Sequence, residues 1–392
     1  MFKRTIHRLA LAVAVAGAMA VQAQSPVRIG FVGELSGPQG ALGQDQYDAF
    51  MMLVEANGGK LGGVPVQIFK EDSQLKPDVA NQVVDKLLEK DKVQIITGVT
   101  FSNIMMAVHK KITDKGVFLI GSNAGPSPIA GAACSPYQFI TSWQNDNQAE
   151  VVGQYATNMG YKNVIGMAPN YQAGKDFVAG FKRYFKGNLA DEIYTTLNQV
   201  DYSAELAQVA SKNPDAIYVF YPGGMGVNFA RSFAQSGLKG KVVMLSTSTL
   251  DGSTLPALQD AALGGRSGTF WGPDFANPVS QKFVADFEAK YKRIPSQYAA
   301  QSYDAALLLD SALGKVKGNV EDKKAFQAAL KAADFKSLRG NFKFGENHFP
   351  IQDMYMFEVA KDAKGRVNLK TLGKALSAHV DAYAPQCKMK SL

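Results

Sequence analysis

Short apolar runs alternate with helix-length stretches along this chain, and the alternation starts afresh halfway. Residues 27–32 read as a strand, cut by the turn residues Gly33-Glu34-Leu35-Ser36-Gly37-Pro38. A helix over 44–56 stops at Asn57-Gly58-Gly59, where glycine relieves the left-handed end. After a strand at 64–69, Lys76-Pro77-Asp78 opens a helix with proline near its first position and an acid in its first turn. Val79, Val83, Val84, Leu87 and Leu88 form its apolar stripe. A strand at 93–96, a helix at 102–114 and a strand at 117–120 follow.

The restart runs strand 163–168, helix 174–185, strand 193–197, helix 204–211, strand 216–220, helix 226–235 and strand 242–245. Helices at 279–291, 298–313 and 322–332 come next, and strands at 341–344 and 354–359 end the ordered pattern. Such alternation implies an α/β fold, parallel sheets with helices on both faces. A short echo supports duplication: Gly43-x-Asp45-x4-Phe50 recurs as Gly174-x-Asp176-x4-Phe181, each after a strand. At roughly 150 residues per domain, 392 residues make two lobes. No low-complexity linker separates them, so several short hinge strands are expected rather than one tether.

The first residues read as an export leader. Lys3, Arg4 and Arg8 precede an apolar run from Leu9 to Ala20, too short to span a bilayer, and Val21-Gln22-Ala23 offers a cleavage site after Ala23. Removing those three cations takes the net charge from +8 to +5. With no Lys/Arg run, nucleic acid is a poor partner. In an oxidising compartment Cys134 and Cys387 most simply form one disulfide, two buried thiols being the alternative. His109, His348 and His379 show no ligand spacing, so no metal is expected.

Catalytic signatures are missing. There is no Gly-x-Ser-x-Gly, Cys-x-x-Cys, His-Glu-x-x-His or phosphate-loop lysine motif, and Gly37-x2-Gly40-x2-Gly43 has the wrong spacing for a dinucleotide turn. No cofactor and no enzymatic activity are expected. What remains are loops at the carboxyl ends of strands. Thr97-Gly98-Val99-Thr100-Phe101-Ser102-Asn103 leads into a helix, with Ser102 as its N-cap. Its N–H groups and dipole suit a carboxylate, unless Ser102 serves as a cap alone. The loop 121–128 combines open backbone with short polar groups, as a ligand loop or an ordinary turn would.

Ile29-Gly30-Phe31, Leu35-Ser36-Gly37-Pro38, Gly43 and Glu55-Ala56-Asn57-Gly58-Gly59-Lys60-Leu61-Gly62-Gly63 together resemble the periplasmic Leu/Ile/Val-binding protein family. The likeness continues through Asp72-Ser73-Gln74, Pro77, Ile96-Thr97-Gly98, Ala124-Gly125-Pro126 and Gln301-Ser302-Tyr303-Asp304-Ala305, in family order. It implies a type I periplasmic binding protein: two Rossmann-like lobes joined by three crossovers, the solute clamped between them. The lobes would be 24–141 with 272–345, and 142–271 with 346–392. The resemblance further implies a periplasmic, monomeric receptor serving a membrane ABC permease.

By the same resemblance, ligand positions fall at Leu42, Ser102, Ala124, Gly125 and Tyr298 in one lobe, and near Ala173, Pro222 and Ser246 in the other. Amino-acid-binding members place a carboxylate near Ser246 to hold the ammonium, yet Leu245-Ser246-Thr247-Ser248-Thr249 has none, although Asp251 stands just beyond. Burying an ammonium unpaired is costly. Phe101, Asn123, Tyr171 and Tyr221 instead suit a flat ring with polar substituents, and Trp143 and Trp271 line either the cleft or the core. The sequence resembles the branch that binds aromatic acids such as benzoate derivatives and phenylpropanoids. A branched-chain amino-acid or amide receptor is the alternative; a nucleotide-dependent α/β enzyme shares the architecture but lacks the phosphate loop.

Overall fold

A computed structural model describes residues 25–392. The leader read over residues 1–23 lies outside them. Six strands form the first sheet: β1 (Val27–Gly33), β2 (Lys60–Leu61), β3 (Val64–Asp72), β4 (Ile95–Gly98), β5 (Phe118–Gly121) and β6 (Gln138–Ile140). Their order is β2-β3-β1-β4-β5-β6, parallel except for the β2–β3 pair. The second sheet holds β7 (Asn163–Pro169), β8 (Asn188–Thr195), β9 (Ala216–Phe220), β10 (Val243–Thr247), β11 (Arg266–Thr269), β12 (Lys343–Phe344), β13 (Pro350–Lys361) and β14 (Val367–His379). Its order is β12-β13-β11-β10-β9-β7-β8, with β14 on β13. Strands β8, β7, β9, β10 and β11 run parallel; β12, β13 and β14 pair antiparallel.

The helices are α1 (Gly40–Ala56), α2 (Pro77–Asp85), α3 (Ser102–Asp114), α4 (Ser127–Ala130), α5 (Asn145–Asn158), α6 (Gln172–Tyr184), α7 (Ser203–Lys212) and α8 (Gly224–Gln235). They continue as α9 (Leu255–Leu258), α10 (Pro278–Tyr291), α11 (Gln297–Lys315) and α12 (Lys323–Lys331). One face of the first sheet packs Phe31, Phe118 and Phe139 against Phe50, Leu309 and Phe326 of α1, α11 and α12. Its other face meets Val84 and Ile104, in a core continuous with that of the second sheet. The architecture is the one the resemblance implies, two lobes of largely parallel sheet covered by helices. Among the described residues no helix is long and apolar enough to cross a membrane.

The duplicated motif has a physical cause. A Cβ on Gly43 would meet the Glu34 carbonyl at 2.0 Å, and one on Gly174 the Pro169 carbonyl at 1.9 Å. Each glycine lets a helix start hard against the end of its strand. Asp45 and Asp176, both buried, bind serines that open other helices, the N-cap Ser296 of α11 and Ser127 of α4. The chain passes between the sheets three times: after β6, after β11, and on the way into β12 and β13. Cys134 and Cys387 are disulfide-bonded, tying the C-terminal tail to the segment between α4 and β6.

Some elements depart from the sequence reading. Helix α5 opens Asn-Asp-Asn-Gln-Ala-Glu, with so few apolar residues that no stripe announces it. The ordered pattern runs past residue 359: β14, largely exposed and interrupted by Lys370, Gly373 and Lys374, pairs with β13 over its length. The strand expected at 193–197 is instead β8, which begins at Asn188 and ends at Thr195.

Candidate functional site

In both sheets the order reverses beside the first strand, β3-β1-β4 in one and β8-β7-β9 in the other. Loops at the carboxyl ends of such strands splay apart and open a crevice, the usual ligand position in doubly wound folds. Here the two crevices face each other. They enclose a narrow cavity between the lobes. One lobe contributes Leu42, Thr100, Phe101, Ser102, Asn123 and Ala124; the other Tyr171, Ala173, Phe177, Phe220, Pro222 and Ser248. Trp143, Asn145 and Tyr298 enter from the crossing segments and the start of α11. None of these fifteen side chains is charged.

The lining divides into an aromatic wall and a polar floor. Phe101 and Tyr171 meet across the lobes at 6.4 Å, and Tyr171 lies near-parallel to Phe220 at 6.3 Å. Phe220 stacks on Phe177 at 3.9 Å. At the floor, Ser102 Oγ accepts a hydrogen bond from Asn145 Nδ2 at 3.1 Å, which leaves its own O–H as a donor. Ser102 is the first helical residue of α3 and not its cap; Phe101 holds that position and no side chain caps the helix. The N-cap role expected of Ser102 is therefore corrected. With no cap, the first turn of this thirteen-residue helix, which begins at the cavity-lining Ser102, has no side-chain partner for its N–H groups.

Neighbouring groups hold this floor in place. Gln46 Nε2 donates to Thr100 Oγ1 at 3.0 Å, and Ser122 Oγ donates to Gln46 Oε1 at 2.9 Å. Asn123 Oδ1 accepts from Gln301 Nε2 at 2.6 Å. Val99 and Ser248 adopt φ of +61° and +49° in the loops that reach the cavity, conformations that side chains other than glycine rarely hold without a local reason. The lobes touch closely at the mouth. Gln39 Oε1 accepts from Gly224 N at 3.1 Å while its Nε2 donates to Asn198 Oδ1 at 3.1 Å. A Cβ on Gly223 would sit 2.2 Å from Gln39 Oε1.

Three residues expected at the site lie elsewhere. Tyr221 follows Phe220, and consecutive strand residues point opposite ways. Phe220 therefore reaches the cavity, while Tyr221 stacks on Phe229 at 4.8 Å and its hydroxyl accepts from Thr195 at 3.3 Å. Ser246 is still within β10 and donates to the Arg266 carbonyl at 3.0 Å; Ser248, two residues on, lines the cavity in its place. Gly125 packs against the Trp143 carbonyl, its N–H spent on Asn145 Oδ1 at 3.2 Å. The Ala124 N–H is likewise engaged, by Val99 O at 3.1 Å. Of the two tryptophans, Trp143 lines the cavity; Trp271 lies in the core, bonded to Ser280 Oγ at 2.8 Å.

Leu42, Phe101, Ser102, Asn123, Ala124, Tyr171 and Tyr298 do come together. Thr100, Asn145, Phe177 and Phe220 were not anticipated as ligand positions. Phe177 lies one turn beyond Ala173 on α6, a spacing that offers a signal once Ala173 is placed at the cleft. Asn145 opens the unannounced helix α5 and had none.

Glu34, beside Thr100, is fully buried. Ser73 Oγ donates to its Oε1 at 2.5 Å and Oε2 has no partner. Burial, only partly offset by that bond, raises its carboxyl from 4.5 to about 7. The folded chain then holds a proton that the unfolded chain releases. Stability is complete below pH 4.5 and falls as pH rises through about 7, by about 3 kcal/mol at 1.36 kcal/mol per unit. Glu34→Gln is expected to flatten this decline. Urea midpoints of both proteins at pH 5 and pH 8 check it, and parallel profiles would contradict it.

The sequence model of the periplasmic binding protein family matches residues 26–365. A curated relative, Leu/Ile/Val-binding protein homolog 6 of Brucella melitensis biotype 1, is 26% identical over 350 residues, covering 86% of this chain and 89% of that protein. Among solved structures, the benzoate complex of an ABC-transporter solute-binding protein from R. palustris is 31% identical, with a TM-score of 0.88 over 93% of this chain and 100% of that one. A Rhodopseudomonas palustris BisB5 solute-binding protein with 3,4-dihydroxybenzoic acid is 26% identical, with a TM-score of 0.84 over 91% and 99% of the two chains.

Proposed function

We propose, because this chain belongs to the periplasmic binding protein family of ABC-transporter solute receptors, that it captures a small aromatic carboxylate of the benzoate or hydroxycinnamate kind. One observation carries the reading: the cavity has aromatic walls, a floor of neutral hydrogen-bond donors, and no charged side chain in its lining. A flat ring stacks between Phe101, Tyr171 and Phe220. Its carboxylate takes the Ser102 hydroxyl and the open first turn of α3. The same lining leaves an α-ammonium without a carboxylate partner, which costs several kcal/mol. The names of the curated relatives favour the second reading, a branched-chain amino-acid receptor.

In this account the protein works in the periplasm as a monomer after the leader is removed near Ala23. Its lobes, 24–141 with 272–345 and 142–271 with 346–392, close over the solute and present a joint surface to a membrane permease. A thermal-shift panel tests the ligand class, because a solute that binds only the folded state stabilises it by about 2.7 kcal/mol at 100 times its Kd. Benzoates and hydroxycinnamates are expected to raise the melting temperature while leucine and valine do not. The reverse pattern would favour the amino-acid reading.

A further inference from the structure

The Ser102 hydroxyl on the cavity floor keeps an open donor, and a second cluster with unmet capacity lies at the β10 end. Ser248 Oγ donates to Gln148 Oε1 at 3.2 Å and accepts from Gln297 Nε2 at 3.1 Å, so its hydroxyl is committed. Beside it the Tyr298 hydroxyl and Asp251 Oδ2 are both buried without a hydrogen-bond partner. Tyr298 is 1% exposed and lines the cavity, and its hydroxyl faces Asp251. Asp251 is itself 1% exposed, and its other oxygen is held by Ser253, from N at 2.8 Å and from Oγ at 2.6 Å. Two adjacent buried groups with unmet hydrogen-bonding capacity, one of them on a cavity wall, form a site that a ligand group can complete.

We infer that Tyr298 and Asp251 form a relay that reads a hydroxyl group on the ligand's ring. The ligand O–H donates to Tyr298 Oη, and the Tyr298 O–H in turn donates to Asp251 Oδ2, so both unmet groups are satisfied at once. The inference rests on the aromatic-carboxylate reading and narrows it to hydroxylated aromatic acids. A phenol brings one donor to match the one open acceptor that Tyr298 presents. A ring hydrogen or methyl in that place leaves the Tyr298 oxygen without a donor. An ammonium brings three N–H groups to a wall whose other hydroxyl, that of Ser248, is already engaged. Tyr298 thus sets specificity by contact, and Asp251 acts through it as a positioning residue.

Calorimetric titration of the wild type, Tyr298→Phe and Asp251→Asn with benzoate, 3-hydroxybenzoate, 4-hydroxybenzoate and leucine tests the relay. The wild type is expected to bind at least one hydroxybenzoate about tenfold or more tighter than benzoate. Tyr298→Phe should erase that preference, so that the hydroxybenzoates and benzoate bind within about threefold of one another, a change in ratio that a general loss of structure would not produce. Asp251→Asn should weaken the preference without abolishing benzoate binding. Benzoate binding as tightly as both hydroxybenzoates, or a preference that survives Tyr298→Phe, overturns the relay and leaves the aromatic-acid reading standing. Leucine binding that is lost in Asp251→Asn, with no aromatic acid bound by the wild type, overturns both.

Discussion

Replacing Arg339 with alanine is expected to destabilise the protein by about 3–5 kcal/mol, the loss usual when one partner of a buried ion pair is removed. The side chain lies among all three passages between the lobes. Its Nε bonds Asp304 Oδ2 at 3.0 Å, and its two terminal nitrogens reach the Thr141 carbonyl at 2.8 Å, the Ser142 carbonyl at 3.1 Å and Gln352 Oε1 at 2.6 Å. Its guanidinium also lies 4.0 Å from the centre of the Phe270 ring. Thr141 and Ser142 follow β6, Phe270 follows β11, and Gln352 lies in β13. Burial pushes the Arg339 guanidinium down to about 10, so it remains charged at neutral pH. Without it, Asp304 keeps bonds from Ser337 Oγ and Leu338 N but loses its countercharge. Arg339→Lys keeps a charge but not the planar fork, and should fall between wild type and alanine. Equilibrium urea unfolding measures all three; a loss below about 1 kcal/mol for the alanine variant would contradict this assignment.

Ser102→Ala should weaken binding of the preferred aromatic acid about 10- to 100-fold. In the proposed binding mode the serine hydroxyl supplies a charge-assisted hydrogen bond to the ligand carboxylate, worth roughly 1.5–3 kcal/mol, and 1.4 kcal/mol is a factor of ten. Because the hydroxyl does not cap α3, its removal should leave the melting temperature of the ligand-free protein nearly unchanged. An affinity unaltered in calorimetry would reduce Ser102 to a partner of Asn145.

The fold was legible in the sequence where periodicity carries it. Strands β1, β4, β5, β7 and β9 are apolar because helices cover both faces, and they stand within two residues of their expected places. Helix α5 and strand β14 were not legible, because contacts with α6 and with β13 stabilise them rather than an apolar stripe of their own. At the site, glycine-punctuated strand ends located the loops but could not say which of two neighbouring side chains turns inward. Phe220 and Tyr221 are both apolar-bodied and both buried; only the register of β9 separates a cavity wall from a core residue. The Ser246 position slipped to Ser248 for a similar reason, since β10 runs through Thr247 before the loop begins.

The claim that this cavity holds a flat aromatic acid and not an amino acid rests on the absence of a charged group from its lining. Isothermal titration of the purified mature protein with benzoate, hydroxybenzoates, hydroxycinnamates, leucine and valine tests it most directly. Saturable one-to-one binding of at least one aromatic acid, with no heat from leucine or valine, is the predicted result. Tight binding of leucine or valine with no response to any aromatic acid would contradict it.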